Sequence, residues 1–320
     1  MRVTPTSQLT RKPVYRGRFA PSPTGPPHLG SLYTALAGFL RAKSRQGQWL
    51  LRIDDIDPYR TVPGSADRIM RGLDALGLHW DGPVLLQSRR MEAYQAALDR
   101  LRTLGMIYPC GCSRKELARA AGDPPGVYPG HCRRGNQASP PGPHALRIIT
   151  EGAAIGFDDA LQGTIAQNLE TEVGDFILYR RDRVHAYHLA TVLDDAEQGV
   201  TEVLRGIDLL DSTPRQIFLE RLLELPAKDY AHVPILVDSH GQKLSKQNLA
   251  PEAETRNPGG VLFHLLELLK QNPPAELAAA PADEILAWAI ENWNLARLAG
   301  IERIEVDPDR FGIRADNPKP

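Results

Sequence analysis

Two short stretches of this 320-residue sequence carry side chains suited to phosphate chemistry. The first, RFAPSPTGPPHLG (residues 18–30), crowds prolines and glycines ahead of His28. A loop of that composition, leading into a helix, brings backbone N–H groups and the positive helix end close to an anion. Gly25 and Gly30 omit side chains where a bulky ligand must approach, and the prolines stiffen the loop. His28, at the helix start, can donate a hydrogen bond to a phosphate oxygen. The second stretch, KLSK, supplies Lys243 and Lys246, two mobile ammonium groups suited to a triphosphate. Each also has a plainer reading, as a proline-rich turn capped by a surface histidine and as a solvated lysine pair. A third cluster is Cys110, Cys112 and Cys132. Three cysteines, an odd number, argue against a disulfide framework and leave metal ligation open. Three thiolates plus one oxygen or nitrogen donor satisfy tetrahedral zinc, and a metal would staple a loop-rich segment that has no core.

The elements that must position these residues alternate. VYRGRFA reads as a strand, and residues 28–45 place Leu29, Leu32, Tyr33, Leu36 and Leu40 on one side at helical spacing. QWLLRIDD returns as a strand, SADRIMRGLDALGL as a helix ending near Gly77, and residues 90–104 as a further helix. This succession predicts an α/β fold with a Rossmann-like parallel sheet and a ligand crevice at the carboxyl ends of its strands. Residues 108–142 break the pattern, holding all the cysteines and many prolines and glycines. The expected organisation is a flexible tail over 1–13, a catalytic domain over 14–107 and 143–250, a zinc-binding insertion over 108–142, and a short helical C-terminal region over 251–320. In the last of these, Leu262, Leu265, Leu266 and Leu269 share one helix face.

Composition excludes several classes. Hydrophobic residues make up 42% and charged residues 24%, as in an ordinary globular protein. No apolar run reaches the roughly 18 residues of a membrane span, and the opening MRVTPTSQLTRKPVYR lacks the apolar core of a secretory signal. A cytoplasmic protein with no membrane partner is expected, acting as a monomer. The net charge of −1 does not announce a nucleic-acid binder, although HCRRG and YRRDR are local basic runs.

The loop with His28 and the far-downstream KLSK together resemble the HIGH and KMSKS elements of the class I aminoacyl-tRNA synthetases. RFAPSPTGPPHLGSLYTAL, LLRIDDIDPYR, LHWDGPVLLQSRR, YHLATVLDDAEQGVTEVLRGIDLLDSTPRQ and KLSK are similar, in identity, order and spacing, to successive blocks of the glutamate branch. Three positions depart from the pattern. Ser31 replaces the second histidine of HIGH, Gln247 the final serine of KMSKS, and Asp54 a more usual glutamate. Full-length glutamyl enzymes continue into anticodon-reading helical domains, for which the residues after KLSK are too few. The chain therefore resembles the truncated paralogues of that branch, the glutamyl-Q tRNA(Asp) synthetases.

The resemblance implies an enzyme that activates L-glutamate with ATP and Mg²⁺ to glutamyl-adenylate without tRNA. It then passes the glutamyl group to queuosine in the anticodon loop of tRNA(Asp). It makes His28, Lys243 and Lys246 catalytic, with His28, Gly30 and Lys246 on ATP. It puts Arg18, Ser22, Asp54, Tyr187 and Arg205 on glutamate, the guanidinium groups suiting its side-chain carboxylate and Asp54 its amine. It also implies one structural Zn²⁺ on Cys110, Cys112, Tyr128 and Cys132, with His131 a competing fourth ligand. Two alternatives stay open from the sequence: a minimal enzyme charging the 3′ end of tRNA, and a non-catalytic RNA-binding paralogue.

Overall fold

The computed structural model describes residues 14–113, 115–117, 127–128, 130–134, 142–244 and 257–307. Strand β1 (Arg16–Phe19) leads through a proline-rich loop into helix α1 (Leu29–Lys43), and β2 (Gln48–Ile53) returns parallel to β1. Helix α2 (Ser65–Ala75) then connects to the short β3 (Leu85–Leu86), parallel to β2, and α3 (Met91–Thr103) follows. The sequence periodicity located β1, α1, β2, α2 and α3 to within about two residues and announced no strand at β3.

The chain next leaves the parallel sheet. Strand β4 (Ile107–Cys110) pairs antiparallel with β5 (Ala145–Ile148). A hairpin of β6 (Ala154–Asp159) and β7 (Gly163–Asn168) follows, and β8 (Ile177–Tyr179) comes back to pair with β5. Alternation then resumes with α4 (Tyr187–Glu197), β9 (Glu202–Gly206), α5 (Thr213–Leu222) and β10 (Asp229–Val233), β9 and β10 being parallel. The N–H of Thr201 donates to the Arg16 carbonyl (2.9 Å) and the Arg16 N–H to Thr201 Oγ1 (2.9 Å), which seats the start of β9 beside β1. With β6 returning parallel to β10 at Asp159 and Tyr230, the parallel strands therefore run β3-β2-β1-β9-β10-β6. Chain order reverses between β1 and β9, and a crevice opens where the strands at such a reversal splay at their carboxyl ends.

Beyond β10 come β11 (Ile235–Val237), α6 (Pro258–Leu268), α7 (Ala282–Asn292) and β12 (Arg303–Glu305). A mainly helical region was expected here; β12, which the sequence did not announce, pairs parallel with β11 and so ties it to the strand that follows the sheet. Pro258 opens α6 in its first turn and the Asn257 side chain accepts from the Gly260 N–H (2.9 Å), a side-chain cap on an otherwise unsatisfied donor.

One apolar core joins the first half of the chain to this C-terminal region. The predicted stripe on α1 is buried, and so are Ala35, Ala37, Gly38 and Ala42 on its other faces. Leu262, Leu266, Ile285 and Leu286 of α6 and α7 belong to the same cluster. Small residues let α1 lie close to its neighbours; a Cβ on Gly38 would stand 3.1 Å from Trp49 Nε1. A second cluster joins Leu98 and Leu101 of α3 to Ile148, Leu178, Leu189 and Val203. The fold is α/β with a parallel sheet, as expected, and no helix among the described residues is long and apolar enough to cross a membrane.

Candidate functional site

The reversal between β1 and β9 opens into a cavity of about 440 Å³. Arg18 enters from β1, Arg205 from β9, and Tyr187 from the first residue of α4. Ser22, His28 and Gly30 come from the proline-rich loop and the start of α1, and Lys243 from the segment after β11. Seven of the catalytic and substrate-binding residues expected from the sequence thus line one hollow, together with Gly25. Lys246 lies outside the described residues.

The loop is stitched to its neighbours through groups that proline leaves available. Proline keeps its carbonyl as an acceptor, and N–H groups of neighbouring segments satisfy two of those in the loop. The Asp54 N–H donates to Pro21 (3.0 Å) and the Val62 N–H to Pro23 (2.8 Å). Ser65, buried at the start of α2, accepts from the Gly25 N–H (2.9 Å) and donates back to the Gly25 carbonyl. His28 is the N-cap of α1, its Nδ1 accepting from the Ser31 N–H at 3.3 Å. That bond leaves Nε2 as the protonated nitrogen of the neutral ring, the one able to donate to a ligand. A Cβ on Gly30 would stand 3.3 Å from Cε1 and Nδ1 of His28, so this glycine makes room for the imidazole itself. Lys243 forms an ion pair with Asp208 at the mouth, both side chains partly exposed.

Arg18 does not stand alone. Its Nε donates to Asp195 Oδ1 (3.1 Å), which also receives Arg52 Nη1, while Arg52 Nε donates to Asp54 (2.7 Å). Asp194, fully buried, accepts from Gln87 (2.8 Å), Tyr94 (2.8 Å) and Arg90 (2.7 Å). Burial works against the Asp195 charge, yet Arg18 and Arg52 outweigh it and hold the carboxyl well below its usual range. For Asp54 burial wins over Arg52, and its pKa is pushed up to about 6. Asp54 lines an adjoining cavity of about 590 Å³, which shares Ser22, Thr24, Arg60 and Tyr187 with the first.

Arg205 is held differently. Its Nε donates to His232 (3.1 Å), its Nη2 to Thr213 Oγ1 (2.8 Å), and its Nη1 reaches the Tyr187 hydroxyl at 3.4 Å. Sequence reasoning missed Arg52, Asp194, Asp195, Asp208 and His232. The adjacent acids of VLDDAEQG in an otherwise apolar helix face were the available signal.

The thiol cluster stands apart from these cavities. The Sγ atoms of Cys110, Cys112 and Cys132 lie within 4.8 Å of one another, and all three cysteines are free. The Tyr128 hydroxyl lies 3.5 Å from the sulfur of Cys110 and 3.7 Å from that of Cys112. A tetrahedral ion with sulfur bonds of about 2.3 Å separates its sulfurs by about 3.8 Å, so this donor set fits zinc chemistry. His131 is exposed and does not join the group. Arg147 donates to Cys110 Sγ (3.3 Å) and stacks on the Tyr128 ring at 3.9 Å. Burial raises the Cys110 thiol, but Tyr128 and Arg147 bring it down to about 7; burial and Cys132 push Cys112 up to about 11. Gly174 lets this knuckle dock, since a Cβ there would fall 2.4 Å from the Tyr128 carbonyl oxygen.

Comparison with known proteins bears on this arrangement. The family model for class I tRNA synthetases (E and Q), catalytic domain, matches residues 15–257. A glutamyl-Q tRNA(Asp) synthetase of Methylococcus capsulatus is 53% identical over 91% of this chain and 95% of its own. One from Aromatoleum aromaticum is 46% identical over 96% and 97%. The crystal structure of a glutamate-tRNA synthetase from Elizabethkingia anophelis superposes with a TM-score of 0.76 at 27% identity, covering 93% of this chain and 69% of that one. A glutamate tRNA ligase from Elizabethkingia meningosepticum, solved with its amino acid, gives 0.75 at 27% identity over 92% and 68%. The chain belongs to the class I glutamyl- and glutaminyl-tRNA synthetase family and is a ligase of the aminoacyl-tRNA synthetase type.

Proposed function

We propose that this enzyme activates L-glutamate with ATP in the absence of RNA, then transfers the glutamyl group to queuosine in the anticodon loop of tRNA(Asp). The observation that carries the reading is the single hollow at the β1–β9 reversal that His28, Lys243, Arg18, Tyr187 and Arg205 all line. Relatives of nearly the same length bearing the glutamyl-Q tRNA(Asp) synthetase name support the choice of acceptor.

In the first step an oxygen of the glutamate α-carboxylate attacks the α-phosphorus of ATP, forming a new P–O bond as the bond to pyrophosphate breaks. Both reactants are anionic, so the site must offset their repulsion and stabilise charge that grows on the phosphate oxygens. His28 supplies an Nε2–H held in place by its cap bond, and Lys243 supplies an ammonium that must leave Asp208 to reach a phosphate. Lys246 is proposed to join it, and Gly30 keeps the imidazole seated against the nucleotide. Mg²⁺ bound with ATP supplies further charge neutralisation on the polyphosphate. Arg205 takes the glutamate side-chain carboxylate, with Arg18 behind it, and Tyr187 and Ser22 bond the remaining polar atoms. Asp54 takes the amine from the adjoining lobe.

In the second step a hydroxyl of the queuosine cyclopentenediol attacks the carbonyl carbon of the adenylate, and AMP leaves with the broken C–O bond. Cys110, Cys112, Cys132 and Tyr128 would hold a Zn²⁺ that cross-links their segment and takes no part in this chemistry. We place the reaction in the cytoplasm and expect a monomer. Digestion of RNA charged with labelled glutamate tests the acceptor. The label should travel with the modified nucleoside, whereas label on the 3′-terminal adenosine would overturn the assignment.

A further inference from the structure

Two arginines reach the same hollow, yet their surroundings differ in one respect. Arg18 is neutralised by Asp195. Arg205 is equally buried, but its partners are His232, Thr213 and Tyr187, all neutral groups. Among the described residues no carboxylate pairs with it.

That arrangement demands a particular state of His232, which sits opposite Arg205 in the β9–β10 register. The Nε–H of Arg205 points at His232 Nε2 (3.1 Å), and the Thr213 hydroxyl lies 3.2 Å from the same nitrogen. A guanidinium has no lone pair to accept with, so Nε2 must be bare and the proton must sit on Nδ1. Asp159 Oδ2 faces Nδ1 at 2.6 Å and takes that proton's hydrogen bond. Asp159 is itself fixed, because its Oδ1 accepts the backbone N–H groups of Leu161 (3.0 Å), Gln162 (3.0 Å) and His232 (3.2 Å). Burial lowers the His232 pKa, in keeping with a neutral ring.

We propose that Asp159 and His232 are positioning residues that orient Arg205 while leaving its charge uncompensated, Asp159 acting by selecting the Nδ1–H tautomer of His232. A carboxylate in place of the imidazole would hold Arg205 equally well but would compete with the substrate's own carboxylate. The inference rests on Arg205 reading the side-chain carboxylate of glutamate.

Asp159→Asn is the diagnostic variant. The three backbone donors keep the amide oxygen in the Oδ1 place, so the NH₂ faces His232 Nδ1 and imposes the opposite tautomer. An N–H then opposes the Arg205 N–H. His232→Gln, by contrast, keeps an acceptor within reach of Arg205, and His232→Leu keeps none. In glutamate-dependent pyrophosphate exchange on the full chain, Asp159→Asn and His232→Leu should raise the glutamate KM roughly tenfold to hundredfold, the loss expected for one hydrogen bond to a charged group. The ATP KM should stay within about twofold on the same basis, and His232→Gln should recover most of the loss. Equal changes in both KM values, or no change, would overturn the proposal. A measurement on the unmutated protein guards against variants that fail to fold. In ¹⁵N-histidine spectra at pH 7, His232 should be neutral and protonated on Nδ1, and a ring protonated on Nε2 would refute the idea. If the unmutated chain showed no glutamate-dependent exchange, the substrate reading would fail while the tautomer result still stood.

Discussion

Replacing Asp195 by asparagine asks whether the buried charges around the site hold one another in place. In the structure one oxygen of Asp195 receives both Arg18 (3.1 Å) and Arg52, and all three side chains are buried. The amide has nearly the same shape but no charge. Arg52 would keep Asp54 and the more distant Asp194, whereas Arg18 would keep no carboxylate that pairs with it among the described residues. Removing one partner of a buried pair costs about 3–5 kcal/mol, because the remaining charge loses its compensation without regaining water. For a chain of 320 residues, at about 2 °C per kcal/mol, the melting temperature should fall by roughly 6–10 °C. The pH dependence has a definite sign. The Asp195 carboxyl is held below its ordinary value, so its contribution is present above the unfolded value of about 3.9 and is lost as pH falls below it toward the folded value. Thermal melts of Asp195→Asn and the parent at several pH values should therefore show a gap that is widest near neutrality and narrows on acidification below pH 4. The glutamate KM should rise as well, since Arg18 would no longer be anchored. A shift of under 1 kcal/mol at pH 7, or a gap that widens in acid, would refute the reasoning.

Two further outcomes are expected. Asp54 has a carboxyl raised by burial to about 6, so its negative charge is present at pH 7 and is lost as pH falls through that value. The glutamate KM should rise below about pH 6 while the ATP KM does not follow, and a flat glutamate KM from pH 5 to 8 would remove Asp54 from the amine contact. Metal analysis of unchelated protein should find one zinc per chain; its removal by a chelator should lower the melting temperature and expose thiols at Cys110, Cys112 and Cys132 to alkylation, and metal-free protein with unchanged thiol protection would defeat the assignment.

How much of this was legible in the sequence follows from the range of the interactions. The proline-rich loop, the α1 stripe and the clustered cysteines are local signals, and each stands where its composition indicated. The order of the sheet is not local. The contact of Arg16 with Thr201 joins residues from distant parts of the chain, and no pattern within either stretch announces it. Asp194 and Asp195 illustrate a second limit. An acid in a helix ordinarily faces water, and only the arginines brought in by β1, β2 and the start of α3 make burial of this pair tolerable. Arg52 hid for the converse reason, as one charge in the strand QWLLRI that looks like an outward-facing position until Asp54 and Asp195 are placed around it. His232 gave no signal at all, because its importance lies in the residue it faces across the β9–β10 pair.

Exchange of labelled pyrophosphate into ATP, run with glutamate and no RNA, bears most directly on whether one crevice accomplishes the activation by itself. Exchange that depends on glutamate and vanishes in His28→Ala is the predicted result. Exchange that appears only when tRNA is added, or that His28→Ala leaves untouched, would contradict the account.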